Sequence, residues 1–175
     1  MIHTFRFSSS AVNLLHSYLS DRYQEVHVGS KKSARFKMEV GVPQGSVIGN
    51  LLFLMYINDV PEVISHCDHH IFADDLQIYK KIPKTNFLES VQLINSDVNS
   101  ILKWSIDNYL NLNESKTQAI IIKNTRSRVI NIPQISVGNN KISYSKVVKN
   151  LGLYIDEILS WANHLNQLSK KINFI

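Results

Sequence analysis

The stretch Ile71-Phe72-Ala73-Asp74-Asp75-Leu76-Gln77-Ile78-Tyr79 places two adjacent aspartates between two short apolar runs. Apolar arms around a polar pair are typical of a β-hairpin with the polar pair at its turn. Adjacent carboxylates repel each other unless a cation or solvent compensates their charge. These residues alone leave two interpretations open. One is a solvated turn, where aspartate is common, and the other is a site for a hard cation such as Mg²⁺.

Upstream of this hairpin the sequence predicts a helix, a second hairpin and an apolar helix. The first helix carries Ala11, Leu14, Leu15, Tyr18 and Leu19 on one face, and alternating runs at 23–28 and 34–40 flank the polar turn 29–32. Residues 46–60 are apolar on nearly every side, so we expect a helix that is buried.

Downstream, Asn86 and Glu89 resemble a capping box that opens a long helix ending near Leu110. Short strands and a last amphipathic helix are expected after it; the strands lie at 117–122, 132–137, 141–144 and 147–155. Hairpins that alternate with helices indicate an α+β fold.

The composition fits one globular domain with a basic surface. Of 175 residues, 44% are hydrophobic and 19% are charged, which excludes a disordered or fibrous chain. The net charge of +5 suits a polyanion such as nucleic acid, although a solvated surface accounts for it equally well. A single cysteine, no signal peptide and no apolar run long enough to cross a bilayer favour an intracellular chain without membrane contact, in nucleus or cytoplasm.

Two further segments have both a plain and a functional interpretation. Pro43-Gln44-Gly45 is either an ordinary helix entry or a place where backbone approaches a ligand closely. His66-Cys67-Asp68-His69-His70 contains zinc ligands, but donors packed this closely cannot readily close a tetrahedron. A polar loop before the Asp74 strand is the preferred interpretation.

Four segments together carry a resemblance to the reverse transcriptases of non-LTR (LINE-type) retrotransposons, nearest to the jockey-like elements. The stretch Gly41-Val-Pro-Gln-Gly-Ser-Val-Ile-Gly-Asn-Leu-Leu-Phe-Leu-Met-Tyr-Ile-Asn-Asp59 resembles that family's B motif, with Asn50 where a proline is usual. Phe72-Ala73-Asp74-Asp75 is similar to its C motif, and Leu110-Asn-Leu-Asn-Glu-Ser-Lys-Thr117 resembles its D motif. Asn150-Leu-Gly-Leu-Tyr-Ile-Asp156 resembles the segment that closes the palm.

The resemblance implies an RNA-directed DNA polymerase with a reverse-transcriptase palm, a ferredoxin-like antiparallel sheet with packed helices. Residues 1–145 would form a partial palm with motifs B, C and D, and residues 146–175 its end and the start of a thumb-like connection. The partners implied are an RNA template, a DNA primer and a deoxynucleoside triphosphate.

The resemblance also assigns roles to individual residues. Asp74 and Asp75 would hold Mg²⁺ in a two-metal site, with Phe72 packed beneath it. Gln44 and Gly45 would line the pocket that holds the incoming nucleotide against the template. Lys116 would assist departure of pyrophosphate, although a solvated lysine after a turn is an equal alternative.

The family's A motif contributes a further aspartate to the metal site, and residues 3–21 already resemble the helix that follows that motif. We therefore expect a palm that is incomplete at the N-terminus, an incomplete metal site and little or no polymerase activity from this chain alone. We also expect an exposed sheet edge that promotes self-association. The alternative function is a catalytically inactive transposon-derived remnant, at most a nucleic-acid-binding module.

Overall fold

The computed structural model describes residues 5–43, 45–83, 85–124 and 132–172. This part of the chain contains α-helices and short antiparallel hairpins, which confirms the predicted mixture of helix and strand. The helices are α1 (Ser9–Leu19), α2 (Val47–Tyr56), α3 (Phe87–Asp107) and α4 (Ala162–Ile172). Two 3₁₀ turns follow α2 and α3, at Val60–Val63 and Glu114–Lys116.

All described strands pair with a partner close by in the sequence, and each sheet has two strands. Strands β1 (Tyr23–Gln24) and β4 (Phe36–Lys37) enclose β2 (His27–Val28) and β3 (Lys31–Lys32), which confirms the predicted upstream hairpin. The remaining pairs are β5 (Asp68–Phe72) with β6 (Asp75–Tyr79), β7 (Ile135–Val137) with β8 (Asn140–Ile142), and β9 (Val147–Asn150) with β10 (Leu153–Asp156).

The chain divides into two compact units, Met1–Asp59 and Val60–Ile175. The first contains α1, the hairpin of β1 to β4, and α2. The second contains the remaining elements and most of the buried apolar side chains. Val98 of α3 packs with Val137 and Ile142, and burying each such side chain stabilises the unit by about 1.5–3 kcal/mol.

One polar side chain fastens α3 to the edge of β7. The Asn95 amide nitrogen donates to the carbonyl of Gln134 (3.2 Å), and its oxygen accepts from the amide of Ser136 (2.9 Å). The helix is thereby fixed to a strand that lies about forty residues later, next to the apolar contacts of Val98.

The predicted burial of the apolar helix in the first unit is wrong. Helix α2 is shorter than predicted, and Val47, Leu51 and Leu54 are 91%, 57% and 47% exposed. Of its residues only Gly49 is buried. A helix that is apolar on every side buries only those sides that other elements cover. Among the described residues nothing covers the side that carries these three.

Two details downstream also differ from the prediction. The side chain of Asn86 donates to the Glu89 carboxylate (3.2 Å) and makes no bond to the first backbone amides of α3, so the capping box does not form. Residues 117–122 form no strand beyond an isolated bridge between Ala119 and Tyr144. Their extended course is held by single hydrogen bonds at Ser145 and Lys123 instead of a ladder.

Among the described helices, none has the length and the apolar character that a membrane crossing requires.

Candidate active site

The two adjacent aspartates lie at the end of the hairpin of β5 and β6, as the sequence predicts. Phe72 pairs with Asp75 across the ladder, so Ala73 and Asp74 are the two central residues of the turn. Asp75 is the first residue of β6. The two carboxylates are therefore carried by consecutive residues, one in the turn and one in the strand.

The turn holds Ala73 in a left-handed backbone conformation, with φ of 51°. The two-residue turns at Gly29-Ser30 and Gly138-Asn139 also have a positive φ at their first residue, 59° and 58°, but glycine stands there. A residue with a Cβ atom in this region costs roughly 1–2 kcal/mol. The turn between β9 and β10 likewise has a residue other than glycine there, Leu151 with φ of 46°. The aspartate-bearing turn is therefore one of two strained turns among the described hairpins, while the other two have glycine at this position.

Both carboxylates are open to solvent and uncompensated. Asp74 and Asp75 are exposed, and neither carboxylate takes part in a hydrogen bond or ion pair with any residue that the structure describes. The ring of Phe72, expected to pack beneath the metal site, is 62% exposed because nothing in the described chain covers this end of the hairpin.

The donor set suits a hard cation but is short of ligands. Two adjacent unpaired carboxylates supply the oxygen atoms and the negative charge that Mg²⁺ prefers. Within the described ranges, however, no group of three or more histidine, cysteine, aspartate or glutamate side chains is arranged to hold a metal ion. Among the described residues the hairpin thus brings two carboxylates together without a third side chain of these types.

A buried carboxylate fixes the segment that enters β5. Asp97 of α3 is 1% exposed and accepts hydrogen bonds from the backbone amides of Ser65 (3.1 Å), His66 (2.9 Å) and Cys67 (2.8 Å). Burial raises the pKa of Asp97, but these hydrogen bonds outweigh burial and leave the pKa below its ordinary value. The charged form is therefore stabilised, and it anchors one end of the hairpin to the core helix.

The contact with Asp97 also affects the reactivity of Cys67 in the histidine-rich segment 66–70. Burial, together with a hydrogen bond to the Asp97 carboxylate, raises the pKa of the Cys67 thiol to about 12. Such a thiol stays protonated at neutral pH and is a poor nucleophile or metal ligand. The backbone amides of His66 and Cys67 bond to Asp97, but the predicted polar loop is wrong for Asp68 to His70, because these residues pair with β6 as the first part of β5.

A reciprocal pair of amides links the aspartate hairpin to the hairpin of β9 and β10. The Gln77 nitrogen donates to the Asn150 oxygen (2.7 Å), and the Asn150 nitrogen donates to the Gln77 oxygen (3.0 Å). Gln77 stands two residues after Asp75 in β6, so the two side chains leave the same face of the strand. The pair therefore fastens the strand face that carries Asp75.

The Ser46 hydroxyl makes three hydrogen bonds next to the turn at Gly45, which we call the glycine turn. This hydroxyl donates to the Pro43 carbonyl (2.8 Å) and accepts from the Gly49 amide (3.2 Å), which caps α2. Since its hydrogen is used on Pro43, the Tyr18 hydroxyl is the donor in their 2.5 Å contact. A Cβ atom at Gly49 would lie 2.7 Å from the Ser46 oxygen, so the cap requires glycine there.

The remaining predicted site residues are placed less informatively. Gly45 has φ of 82°, a conformation that favours glycine, and the space around it is open, as close approach of a ligand requires. Gln44 lies outside the described residues. Lys116 ends the 3₁₀ turn Glu114–Lys116, where its amide donates to the Asn113 side chain, and it is exposed. Its role stays a prediction.

Sequence reasoning missed three residues that position the hairpin: Asp97, Gln77 and Asn150. Asp97 had a readable signal, because it lies three residues after Ile94 and four before Ile101, on the apolar face of α3. A carboxylate on a core-facing stripe requires partners. Gln77 and Asn150 are 73 positions apart, and no local pattern connects them.

Comparison with known proteins identifies the family of the chain. The family described as reverse transcriptase (RNA-dependent DNA polymerase) matches residues 1–155, nearly the whole chain. The chain belongs to that family, and its relatives among the curated proteins are reverse transcriptases of mobile elements. No solved structure matches it.

Two of these relatives are RNA-directed DNA polymerases from the mobile element jockey, in Drosophila funebris and Drosophila melanogaster. Each is 24% identical to this chain, over 80% and 88% of its length. A third, a probable RNA-directed DNA polymerase from transposon X-element of Drosophila melanogaster, is 24% identical over 91% of the chain. The chain spans only 15–17% of the length of these three relatives.

Proposed function

We propose that this chain is part of the palm of a non-LTR retrotransposon reverse transcriptase, and that Asp74 and Asp75 hold catalytic Mg²⁺. The observation that carries the proposal is the pair of exposed, unpaired carboxylates at a strained two-residue turn, in a chain of the reverse-transcriptase family. The substrates proposed are an RNA template, a DNA primer and a deoxynucleoside triphosphate.

The chemistry of the residues supports this assignment. When bound, Mg²⁺ would neutralise the charge that develops on the phosphates during nucleotidyl transfer. Asp74 and Asp75 supply the ligand oxygens, since no protein donor competes for them among the described residues. Asp97 and the pair of Gln77 and Asn150 keep the hairpin in place, because phosphoryl transfer depends on positioning.

The rest of the proposal follows the family. Residues 1–145 form a partial palm with motifs B, C and D, and residues 146–175 form its end and a thumb-like connection. Gln44 and Gly45 line the nucleotide pocket, and Lys116 assists pyrophosphate departure. Since β5 and β6 form a sheet of only two strands, both strands have an unpaired edge, and we propose self-association through such an edge.

Metal affinity tests the assignment of the two aspartates. Mn²⁺ serves as a paramagnetic substitute for Mg²⁺. Electron paramagnetic resonance measures the concentration of free Mn²⁺ as the chain is added. We expect weak binding that Mg²⁺ competes away and that Asp74→Asn or Asp75→Asn abolishes. The matched control is Asp68→Asn, at the opposite end of the same hairpin, which should bind as the parent does. Equal loss in Asp68→Asn would contradict the assignment.

Primer extension tests the reaction itself. A labelled DNA primer on an RNA template is incubated with Mg²⁺, nucleotides and either the parent chain or Asp74→Ala. Because the described residues provide two carboxylates and no third ligand, we expect extension by this chain to stay close to that of the variant. Extension that depends on Asp74 would show that these two carboxylates suffice. Equal, substantial extension by both proteins would refute the role of Asp74.

A further inference from the structure

The hairpin of β1 to β4, residues 23–37, is an exposed arm of the first unit, and we call it the basic arm. Its base is the ladder of β1 and β4, and its tip is the ladder of β2 and β3 with the turn Gly29-Ser30. Between the two, Ser33 takes the place of a ladder pair: its amide donates to the Val26 carbonyl, and its hydroxyl accepts from the Val26 amide, each at 2.9 Å.

The basic arm buries none of its residues. Every position from 23 to 37 is exposed, including the aromatic rings of Tyr23 (51%) and Phe36 (67%). A two-stranded hairpin that packs on nothing is at best marginally stable in water. Its surface is therefore available to a partner along both faces.

The charge of the basic arm is strongly one-sided. It carries Lys31, Lys32, Arg35 and Lys37 against the single acid Glu25, while the entire chain of 175 residues has a net charge of +5. The Glu25 carboxylate already lies 2.8 Å from the Nε2 atom of His27. None of the four basic side chains forms an ion pair with a described residue. These positive charges therefore repel one another, and a bound polyanion would reduce the repulsion.

One of these cations is already oriented. The Arg35 guanidinium lies 4.7 Å from the centre of the Tyr23 ring, and Tyr23 pairs with Lys37 across β1 and β4. This cation–π contact restrains the guanidinium, and its N–H donors make no hydrogen bond to any described residue. A restrained planar fork of donors matches the oxygens of a phosphate group, and less entropy is lost when it binds.

We propose that the basic arm binds the sugar-phosphate backbone of nucleic acid, with Lys31, Lys32 and Arg35 on phosphates. The inference rests on the proposed function to the extent that a reverse transcriptase holds a primer–template duplex. It adds a set of residues that belongs to the first unit and that none of the four family motifs includes. Contacts to phosphates carry no base sequence, so binding should be independent of sequence and steeply dependent on salt.

The test is fluorescence anisotropy of a labelled RNA–DNA hybrid of mixed sequence, measured with the full chain between 50 and 200 mM salt. The variant Lys31→Gln/Lys32→Gln removes two proposed phosphate contacts. We expect the loss of affinity across this salt range to become about tenfold smaller than for the parent chain. The matched control is Lys170→Gln/Lys171→Gln, which removes the same charge from an exposed pair in α4 and should keep the parent's salt dependence.

A second variant separates geometry from charge. Arg35→Lys keeps the positive charge but removes the planar fork and its stacking on Tyr23. We expect affinity for the hybrid to fall several-fold while the salt dependence stays that of the parent chain. An unchanged affinity would contradict the proposed role of Arg35.

Three results would overturn the inference. One is equal change in salt dependence for the two lysine-pair variants, and another is no binding of the hybrid by the parent chain. The third is competition by polyglutamate as effective as that by unlabelled hybrid, which would indicate an acidic protein partner. Hybrid binding by the parent chain should persist in EDTA, where the aspartates hold no cation. If the aspartates bind no metal, the proposed function is contradicted but nucleic-acid binding by the basic arm is not. If the chain binds no hybrid, nucleic-acid binding by the basic arm is contradicted but the metal role of the aspartates is not.

Discussion

At the scale of single residues, Ala73 holds the aspartate-bearing turn in a conformation that glycine adopts without strain. We predict that Ala73→Gly raises the free energy of unfolding by up to ~1 kcal/mol, because relief of the left-handed strain exceeds the added entropy of the unfolded chain. Urea unfolding at neutral pH measures it. The matched control is Gly138→Ala, the reverse change at the same position of the turn between β7 and β8 in the same unit, which should destabilise by about 1 kcal/mol. A destabilised Ala73→Gly would contradict the strain.

Asp97 is the residue whose loss should most disturb the aspartate hairpin. We predict that Asp97→Asn lowers the free energy of unfolding by about 2–3 kcal/mol, because three backbone amides lose a charged acceptor. The same substitution should speed alkylation of Cys67 near pH 8–9, since the carboxylate that helps to raise its pKa is gone. Asp107→Asn, an exposed aspartate of the same helix, is the control and should change neither quantity. An unaltered stability of Asp97→Asn would refute the anchor.

At the scale of elements, the pair of Gln77 and Asn150 fastens two hairpins through matched amides. We predict that Gln77→Asn and Asn150→Gln each cost about 1–2 kcal/mol of stability. The first leaves the pair too short for its two hydrogen bonds, and the second makes it too long, so the amides no longer face each other. The double variant exchanges the two side chains and keeps their combined length, so it should recover most of the loss. Urea unfolding, with amide exchange at Ala73 to Asp75, measures both effects. A double variant as unstable as the sum of the singles would show that the pair does not act as a unit.

The elements also show what sequence can predict. The hairpin at 23–37 follows from alternating runs around a polar turn, and that at 68–79 from apolar arms around an aspartate pair; both are local information. The burial of α2 was predicted wrongly because apolar composition does not specify which neighbours cover a helix. The capping box at Asn86 failed because the two side chains bond to each other instead of to backbone.

At the scale of the whole molecule, two depressed carboxyl pKa values indicate how the second unit responds to acid. Hydrogen bonds led by the Ser160 hydroxyl lower the pKa of Asp156 to about 2, and the pKa of Asp97 is also below its ordinary value. A carboxyl group with a lowered folded-state pKa contributes stability above its unfolded pKa, and this is lost as pH falls through the folded one.

We therefore predict that the stability of the second unit is constant at neutral pH and falls between about pH 4 and pH 2. Denaturant unfolding followed by tryptophan fluorescence measures it, since Trp104 and Trp161 both lie in this unit. Asp156→Asn should be less stable near pH 7 and should show a shallower acid dependence. Stability that rises on acidification would contradict the two pKa directions.

The candidate site combines features that are local in the sequence with contacts between residues far apart in it. The aspartate turn and the glycine turn could be found from the sequence because each is a contiguous segment with its own backbone demands. The contacts that hold the aspartate hairpin join residues 31 and 73 positions apart, at Asp97 and Asn150. Only the folded second unit brings these residues together.

If Asp74 and Asp75 bind the catalytic cation, a bound Mn²⁺ should lie next to them. Nuclear magnetic resonance locates it directly, because Mn²⁺ broadens the signals of nearby amides. In the parent chain we predict that amide signals of Ala73 to Leu76 broaden first, that Mg²⁺ restores them, and that Asp74→Asn abolishes the effect. Broadening centred on another segment, or broadening at the turn that persists in Asp74→Asn, would contradict the claim.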